Sequence, residues 1–197
     1  SALEVIMTTL HSGGKFSNKA YNTSGGLHGV GISVVNALTS ETVVEVARDK
    51  QLYSQTFSQG KAVGKLESLG SVSNRRGTRV TFIPDPEIFG EEMQFSPARV
   101  YNMARSKAYL FKGVEIRWSC APELITAGED APAEATLRFP NGILDFLNQR
   151  LEGRDGFIPA PFYGEIPFPE NQGKVEVAVS WPADENGFTR SYCNTIP

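Results

Sequence analysis

The sequence has little of what several protein classes require. It contains only two cysteines, Cys120 and Cys193, which are far apart and in no metal-ligand or C-x-x-C spacing. We interpret them as free thiols of a cytosolic protein. Its two histidines, His11 and His28, have no adjacent carboxylates or thiols to complete a metal site. No apolar run approaches the roughly 20 residues of a membrane span, and no signal-peptide pattern opens the chain. We therefore expect a cytoplasmic protein without membrane contact.

Composition and charge are those of an ordinary globular protein. The chain has 197 residues, of which 40% are hydrophobic, and a formal net charge of −3. This length supports a substantial core, and it allows either one large domain or one domain with part of another. The negative net charge gives no indication that this chain alone forms an electrostatic DNA-binding surface.

A glycine-rich segment, residues 25–31, runs directly into the apolar-periodic stretch 32–38. The pattern predicts a helix over residues 27–39. Glycines let the backbone take positive φ and approach an anion closely, and the first N–H groups of a helix have no partner within the helix. The helix dipole adds partial positive charge at the same place. The junction therefore predicts a phosphate site, and a glycine turn that merely opens a helix is the alternative.

Residues 25–38 read Gly-Gly-Leu-His-Gly-Val-Gly-Ile-Ser-Val-Val-Asn-Ala-Leu. This string resembles the ATP lid of the B subunits of bacterial type IIA DNA topoisomerases, which are members of the GHKL ATPase superfamily. Among GHKL proteins, only these B subunits also resemble residues 1–16, and the resemblance extends more weakly to residue 197. The sequence is more similar to topoisomerase IV than to gyrase at Asn22 and over residues 15–19, which read Lys-Phe-Ser-Asn-Lys.

The resemblance implies an α+β fold in two parts. Residues 1–140 correspond to a GHKL (Bergerat-type) ATPase α/β sandwich that lacks its N-terminal part, and residues 141–197 to the beginning of an α+β transducer domain. In the family, a catalytic glutamate, a magnesium-holding asparagine and an adenine-reading aspartate precede this region, and a transducer lysine follows it. We therefore expect an internal fragment with no catalytic residue and no metal ligand of its own, which alone hydrolyses no ATP.

The resemblance also implies an ATP site. Backbone N–H groups of residues 27–31 surround the β- and γ-phosphates, Lys15 reaches phosphate, Tyr21 contacts adenosine, and Thr78 bonds adenine or its water. Arg48 lies at the rim of the pocket, where the family contacts aminocoumarin inhibitors. The residues assigned to ATP are Lys15, Tyr21, Gly26, Leu27, His28, Gly29, Val30, Gly31 and Thr78. Without the resemblance, Lys15 and Arg48 are ordinary surface cations and Tyr21 is a packing residue.

The function that the resemblance implies is an ATP-driven gate. ATP and Mg²⁺ bind, the lid closes, and a second B subunit dimerises with the first to capture double-stranded DNA, which the A subunit cleaves. Three alternatives remain open at this point: a gyrase B subunit, a MutL- or chaperone-type GHKL ATPase, and a nucleotide-binding module without activity.

Periodicity and turn residues predict the elements around the lid. Ser1 and Glu4 form a capping box that opens a helix, and Asp49-Lys50 is a tight turn between strands 43–48 and 52–57. Ser96 caps a helix over residues 98–111, and Asn141 caps another. Further strands are predicted at 66–69, 78–83, 114–118 and 174–181, and a loop is predicted at 120–134. The valines of strand 174–181 are predicted to be buried, and residues 188–194 are predicted to be its antiparallel partner.

Overall fold

A computed structural model describes residues 1–12, 28–169, 173–184 and 186–197. These residues form helices and antiparallel sheets, which confirms the α+β class. The chain divides into two compact units, Ser1–Gln94 and Phe95–Pro197. The family boundary near residue 140 stays a prediction. Within the described ranges, no helix is long and apolar enough to cross a membrane.

The first unit begins with a capped helix. Ser1 Oγ accepts the N–H of Glu4 at 3.1 Å, which confirms the predicted N-cap. The carboxylate of Glu4 accepts the side-chain amide of Gln55 at 3.2 Å, so this glutamate binds the neighbouring sheet. The second helix begins at Gly31 and is shorter than predicted, because a strand starts at Thr39. The helices of this unit are α1 (Ala2–Thr8), α2 (Gly31–Ala37) and α3 (Pro86–Phe89).

The sheet of the first unit is antiparallel, and its strands follow the order β3-β2-β1-β5, with β4 also paired to β2. Its members are β1 (Thr39–Arg48), β2 (Gln51–Ser58), β3 (Lys61–Ala62), β4 (Glu67–Ser71) and β5 (Gly77–Pro84). The predicted tight turn is confirmed, since Asp49 and Lys50 have φ values of 52° and 61°. Two successive positive φ values are typical of a two-residue hairpin turn.

One hydrophobic cluster holds α1, α2 and the sheet together. It is built on Met7 of α1, Val44 of β1 and Phe57 of β2, and Ile32 of α2 packs against it. Met7, Val44 and Phe57 are at most 2% exposed. Because Ile32 directly follows Gly31, this cluster fixes the first turn of α2.

The second unit begins with a helix whose start was predicted correctly. Ser96 Oγ accepts the N–H of Arg99 at 3.3 Å, and Pro97 is the first helical residue, where a missing N–H costs nothing. The elements of this unit are α4 (Pro97–Leu110), β6 (Glu115–Ser119), a 3-10 turn (Pro122–Leu124), β7 (Glu134–Arg138), α5 (Ile143–Leu151), β8 (Phe162–Pro167) and β9 (Lys174–Val179). Strand β7, which pairs with β6, was not predicted.

An aromatic cluster forms the core of the second unit. Tyr109 of α4 stacks on Phe146 of α5 with ring centroids 4.2 Å apart and meets Phe139 edge-on at 5.8 Å. Burial, together with a hydrogen bond to Tyr192, raises the pKa of Tyr109 to about 12. This core crosses residue 140, so α5 packs on the helix and strand that precede it.

The predicted partner of β9 is wrong. β9 pairs with β8, which lies inside a proline-rich passage, and residues 188–194 form no named strand. Pro161 and Pro167 stand at the margins of the segment that pairs, so 162–166 keep the N–H groups that a ladder needs. Phe188 instead meets Phe146 of α5 with ring centroids 6.3 Å apart.

The predicted buried face of β9 is also wrong. Val175 and Val177 are 46% and 37% exposed, whereas Glu176 on the opposite face binds Lys112 Nζ at 2.8 Å. Hydrogen bonds from Lys174 and Lys112 hold the pKa of Glu165 on that polar face at about 2. The alternation of β9 predicts one apolar and one polar face. Which face is covered depends on the segment that packs against it, and here Lys112, which follows α4, lies on the polar face.

The cap of α5 is displaced by one residue from its predicted position. Gly142 is the N-cap, and Asn141 donates its backbone N–H and its side-chain amide to Asp145 at 2.7 and 3.0 Å. Asp145 in the first turn therefore accepts hydrogen bonds from Asn141, and the N-cap residue Gly142 supplies no side-chain cap to the first-turn N–H groups.

Candidate functional site

The described end of the glycine-rich segment comprises residues 28–31. Gly29 has φ of +62°, a backbone conformation that L side chains rarely adopt and that glycine takes without cost. His28 and Gly31 are exposed, and Gly29 and Val30 are half-buried. The backbone of this segment therefore reaches solvent where it enters α2.

Gly31 has open space beside it among the described residues. A Cβ built on Gly31 meets none of their atoms within 4 Å, and the φ of Gly31 lies outside the left-handed region. The described part of the chain therefore leaves room for a side chain at this position. Open space beside the N–H groups that begin a helix is what a bound phosphate needs.

Polar contacts hold α2 in place beneath this segment. Asn36, which is fully buried, donates its side-chain amide to the carbonyl of Met7 at 2.9 Å. Ser33 Oγ donates to the carbonyl of Val30 at 3.0 Å and closes the first turn. A rigid base for the segment is one requirement of a preorganised anion site.

Thr78 belongs to the same unit and lies near the beginning of β5. Its register partner is Val46 of β1, and Val46 packs against the cluster that contains Ile32. Cross-strand partners place their side chains on the same face of a sheet. The structure thus puts Thr78, which is exposed, on the face that carries the first turn of α2.

Arg48 lies at the same end of that face. It stands two residues after Val46, so strand alternation points both side chains to one side. The Arg48 side chain is 81% exposed, and its Nε lies 3.3 Å from a carboxylate oxygen of Asp49, which is itself 87% exposed. An exposed pair of this kind contributes little to stability, so Arg48 is available for a ligand.

Four predicted site residues, Lys15, Tyr21, Gly26 and Leu27, lie outside the described residues. A contact that the sequence did not predict reaches the described segment from the turn after α1: His11 Nδ1 is 2.9 Å from the carbonyl oxygen of His28. No spacing rule connects two histidines 17 positions apart. A cavity of about 490 Å³ opens in the second unit around the end of α5, and no candidate site residue lines it.

A comparison with family models gives no match. Curated proteins are similar over the whole chain. The B subunit of DNA topoisomerase 4 from Caulobacter vibrioides is 53% identical and that from Bartonella bacilliformis 52%, each over 100% of this chain and 28% of the relative. The B subunit of DNA gyrase from Chlamydia muridarum is 36% identical over 100% of this chain and 24% of the relative. The chain thus spans less than a third of the length of these relatives.

Solved structures agree. The 43K ATPase domain of Thermus thermophilus gyrase B, in complex with an aminocoumarin, is 34% identical with a TM-score of 0.66, and the match covers 90% of this chain and 41% of that one. The ATP-binding domain of Francisella tularensis topoisomerase IV, in complex with a small-molecule inhibitor, is 30% identical with a TM-score of 0.58 over 82% and 39%. These similarities confirm the fold class predicted from the sequence.

Proposed function

We propose that this chain, which belongs to the B-subunit family of the bacterial type IIA DNA topoisomerases, forms part of the ATP-driven gate of a cytoplasmic topoisomerase IV. Its work would be relaxation and decatenation of DNA. The observation that carries this proposal is similarity over the whole of this chain, with 53% identity to a topoisomerase IV B subunit against 36% to a gyrase B subunit. The gyrase reading is the second candidate, and a MutL- or chaperone-type ATPase receives no support from these relatives.

The ATP site that we propose is centred on residues 28–31. The N–H groups of Gly29, Val30 and Gly31 would bond the β- and γ-phosphates, and the geometry favours this because Gly29 has a positive φ and Gly31 has open space beside it. Thr78, on the face that carries α2, would read adenine or its water. The residues that complete the proposed site are Lys15, Tyr21, Gly26, Leu27 and His28.

Mg²⁺ is proposed to arrive with the nucleotide. In the described part of the chain, no three His, Cys, Asp or Glu side chains are grouped to hold a metal ion. Mg²⁺ in phosphate-transfer sites is bound by the substrate's phosphates together with waters and only one or two protein side chains, and we assign no such ligand to these residues. Nor do we assign them the general base. The part of this chain in hydrolysis is to orient the phosphates and to stabilise their charge through backbone N–H groups.

The proposed partners are a second B subunit, the A subunit and double-stranded DNA. Residues 1–140 would belong to the ATPase domain and residues 141–197 to the transducer, which couples nucleotide state to closure of the dimer. The aromatic core around Tyr109, Phe139 and Phe146 supports such coupling, because it packs α5 on elements that precede residue 140.

Interlocked DNA circles test this proposal. The complete B subunit, mixed with the A subunit, is expected to unlink them with ATP and to leave them linked with ADP or without the A subunit. Negative supercoiling of relaxed circles would favour the gyrase reading instead. If the complete subunit neither binds nor hydrolyses ATP, the proposed function is wrong.

A further inference from the structure

A hydrogen bond from the end of α1 holds the backbone just before Gly29. His11 Nδ1 lies 2.9 Å from the carbonyl oxygen of His28. A carbonyl oxygen can only accept, so Nδ1 must carry the proton and donate it. The bond therefore fixes the tautomer of His11 and the direction of the His28 carbonyl.

Local hydrogen bonds hold the backbone around His11 in place. His11 has φ of +59°, a left-handed conformation that histidine, asparagine and aspartate tolerate better than most residues. Next to it, Ser12 Oγ donates to the carbonyls of Thr9 at 2.6 Å and Val5 at 3.1 Å, which closes the end of α1. Met7 of α1 is 2% exposed. His11 thus stands in a short turn that directly follows a helix fixed in the core.

The peptide group between His28 and Gly29 transmits this constraint. A peptide bond is planar and trans, so its carbonyl and its N–H point in opposite directions. When His11 holds the His28 oxygen, the Gly29 N–H is oriented to the other side. We propose that His11 is a positioning residue that aims the Gly29 N–H at the nucleotide phosphates. This inference rests on the proposed ATP site.

Two substitutions that are isosteric with each other separate hydrogen-bond donation by residue 11 from the size and shape of its side chain. In His11→Asn, the amide nitrogen can replace Nδ1 as a donor, whereas in His11→Asp the carboxylate can only accept and faces the His28 oxygen with like charge. Both residues tolerate positive φ. In the complete subunit, we expect His11→Asn to bind ATP within about twofold of the parent and His11→Asp to bind about tenfold more weakly, the loss that one missing hydrogen bond produces.

Thermal midpoints of both variants are expected to match the parent, since the bond is exposed. Equal ATP affinities in the two variants, high or low, would overturn the proposed role of His11 and leave the proposed ATP site standing. A parent that binds no ATP would overturn the proposed function and this inference with it. Nitrogen NMR of the nucleotide-free subunit gives an independent check above pH 7.5: a proton on Nδ1 is expected, and a proton on Nε2 only would contradict the donor role.

Discussion

Gly31→Val in the complete subunit is expected to reduce ATP turnover by about 100-fold or more, the usual cost of misplacing a reacting group by an ångström. The valine methyls would occupy the open space beside the first N–H groups of α2, where the phosphates are proposed to lie. The fold should persist, because a Cβ at Gly31 meets no atom of the described residues within 4 Å and valine is a better helix former than glycine. A phosphate-release assay measures the turnover.

Gly64→Val is the matched control. Gly64 belongs to the same unit, and its φ also lies outside the left-handed region. In the part of the chain that the structure describes, a Cβ built on Gly64 likewise meets no atom within 4 Å. This variant should keep the parent's turnover. Gly29→Val would be a poorer test, since φ of +62° strains any side chain there. Turnover in Gly31→Val within twofold of the parent, with the same thermal midpoint, would show that no phosphate lies beside Gly31.

Arg48→Gln should weaken aminocoumarin binding by about 10- to 100-fold, the range expected when a charged hydrogen bond to a ligand is lost. The loss should exceed any loss of ATP affinity at least about tenfold, because Arg48 is proposed to lie at the rim of the site, whereas the phosphates are proposed to bind residues 28–31. Stability should not change, since the Arg48 side chain is 81% exposed and pairs with Asp49, which is also exposed. Calorimetric titration with inhibitor and with ATP separates the two affinities.

Lys50→Gln provides the control for Arg48→Gln. It removes a neighbouring cation from the turn after β1 and should leave inhibitor affinity unchanged. Equal losses of inhibitor affinity in both variants would mean that general charge, and not a contact with Arg48, governs the inhibitor.

Local chemistry made much of the fold predictable. The start of α4 follows from Ser96 and Pro97, and the β1–β2 hairpin from Asp49-Lys50, because a cap or a two-residue turn is decided by adjacent residues. The cap of α5 shows the limit of this reasoning. Asp145, four residues on, accepts the backbone N–H and the side-chain amide of Asn141, so Asn141 donates to the first turn instead of capping it.

Pairing between distant segments was not predictable in the same way. The alternation of β9 is real, but its partner β8 lies in a passage whose prolines disguised a strand. Its valine face is exposed because the neighbouring cation Lys112 binds the polar face. Alternation in the strand sequence predicts that one face is apolar and the other polar, but tertiary contacts decide which of the two faces is buried.

Some features of the candidate site were likewise predictable from local sequence, whereas others depend on contacts between distant segments. The glycine pattern predicted where backbone N–H groups would be free, and Gly29 has the positive φ that such a segment uses. Sequence could not show that Thr78 and Arg48 share a face, since that depends on the register of β1 with β5. The hydrogen bond from His11 to His28 depends on how α1 lies beside α2, which no spacing encodes.

The backbone N–H groups at Gly29 and Gly31 are proposed to hold the phosphates of ATP. Proton–nitrogen NMR of the subunit labelled in glycine tests this most directly, with Gly64 as the internal reference. We expect ATP to move the amide signals of Gly29 and Gly31, adenosine to leave them in place, and neither ligand to move Gly64. Signals of Gly29 and Gly31 that stay fixed at saturating ATP, or that move equally with adenosine, would contradict the claim.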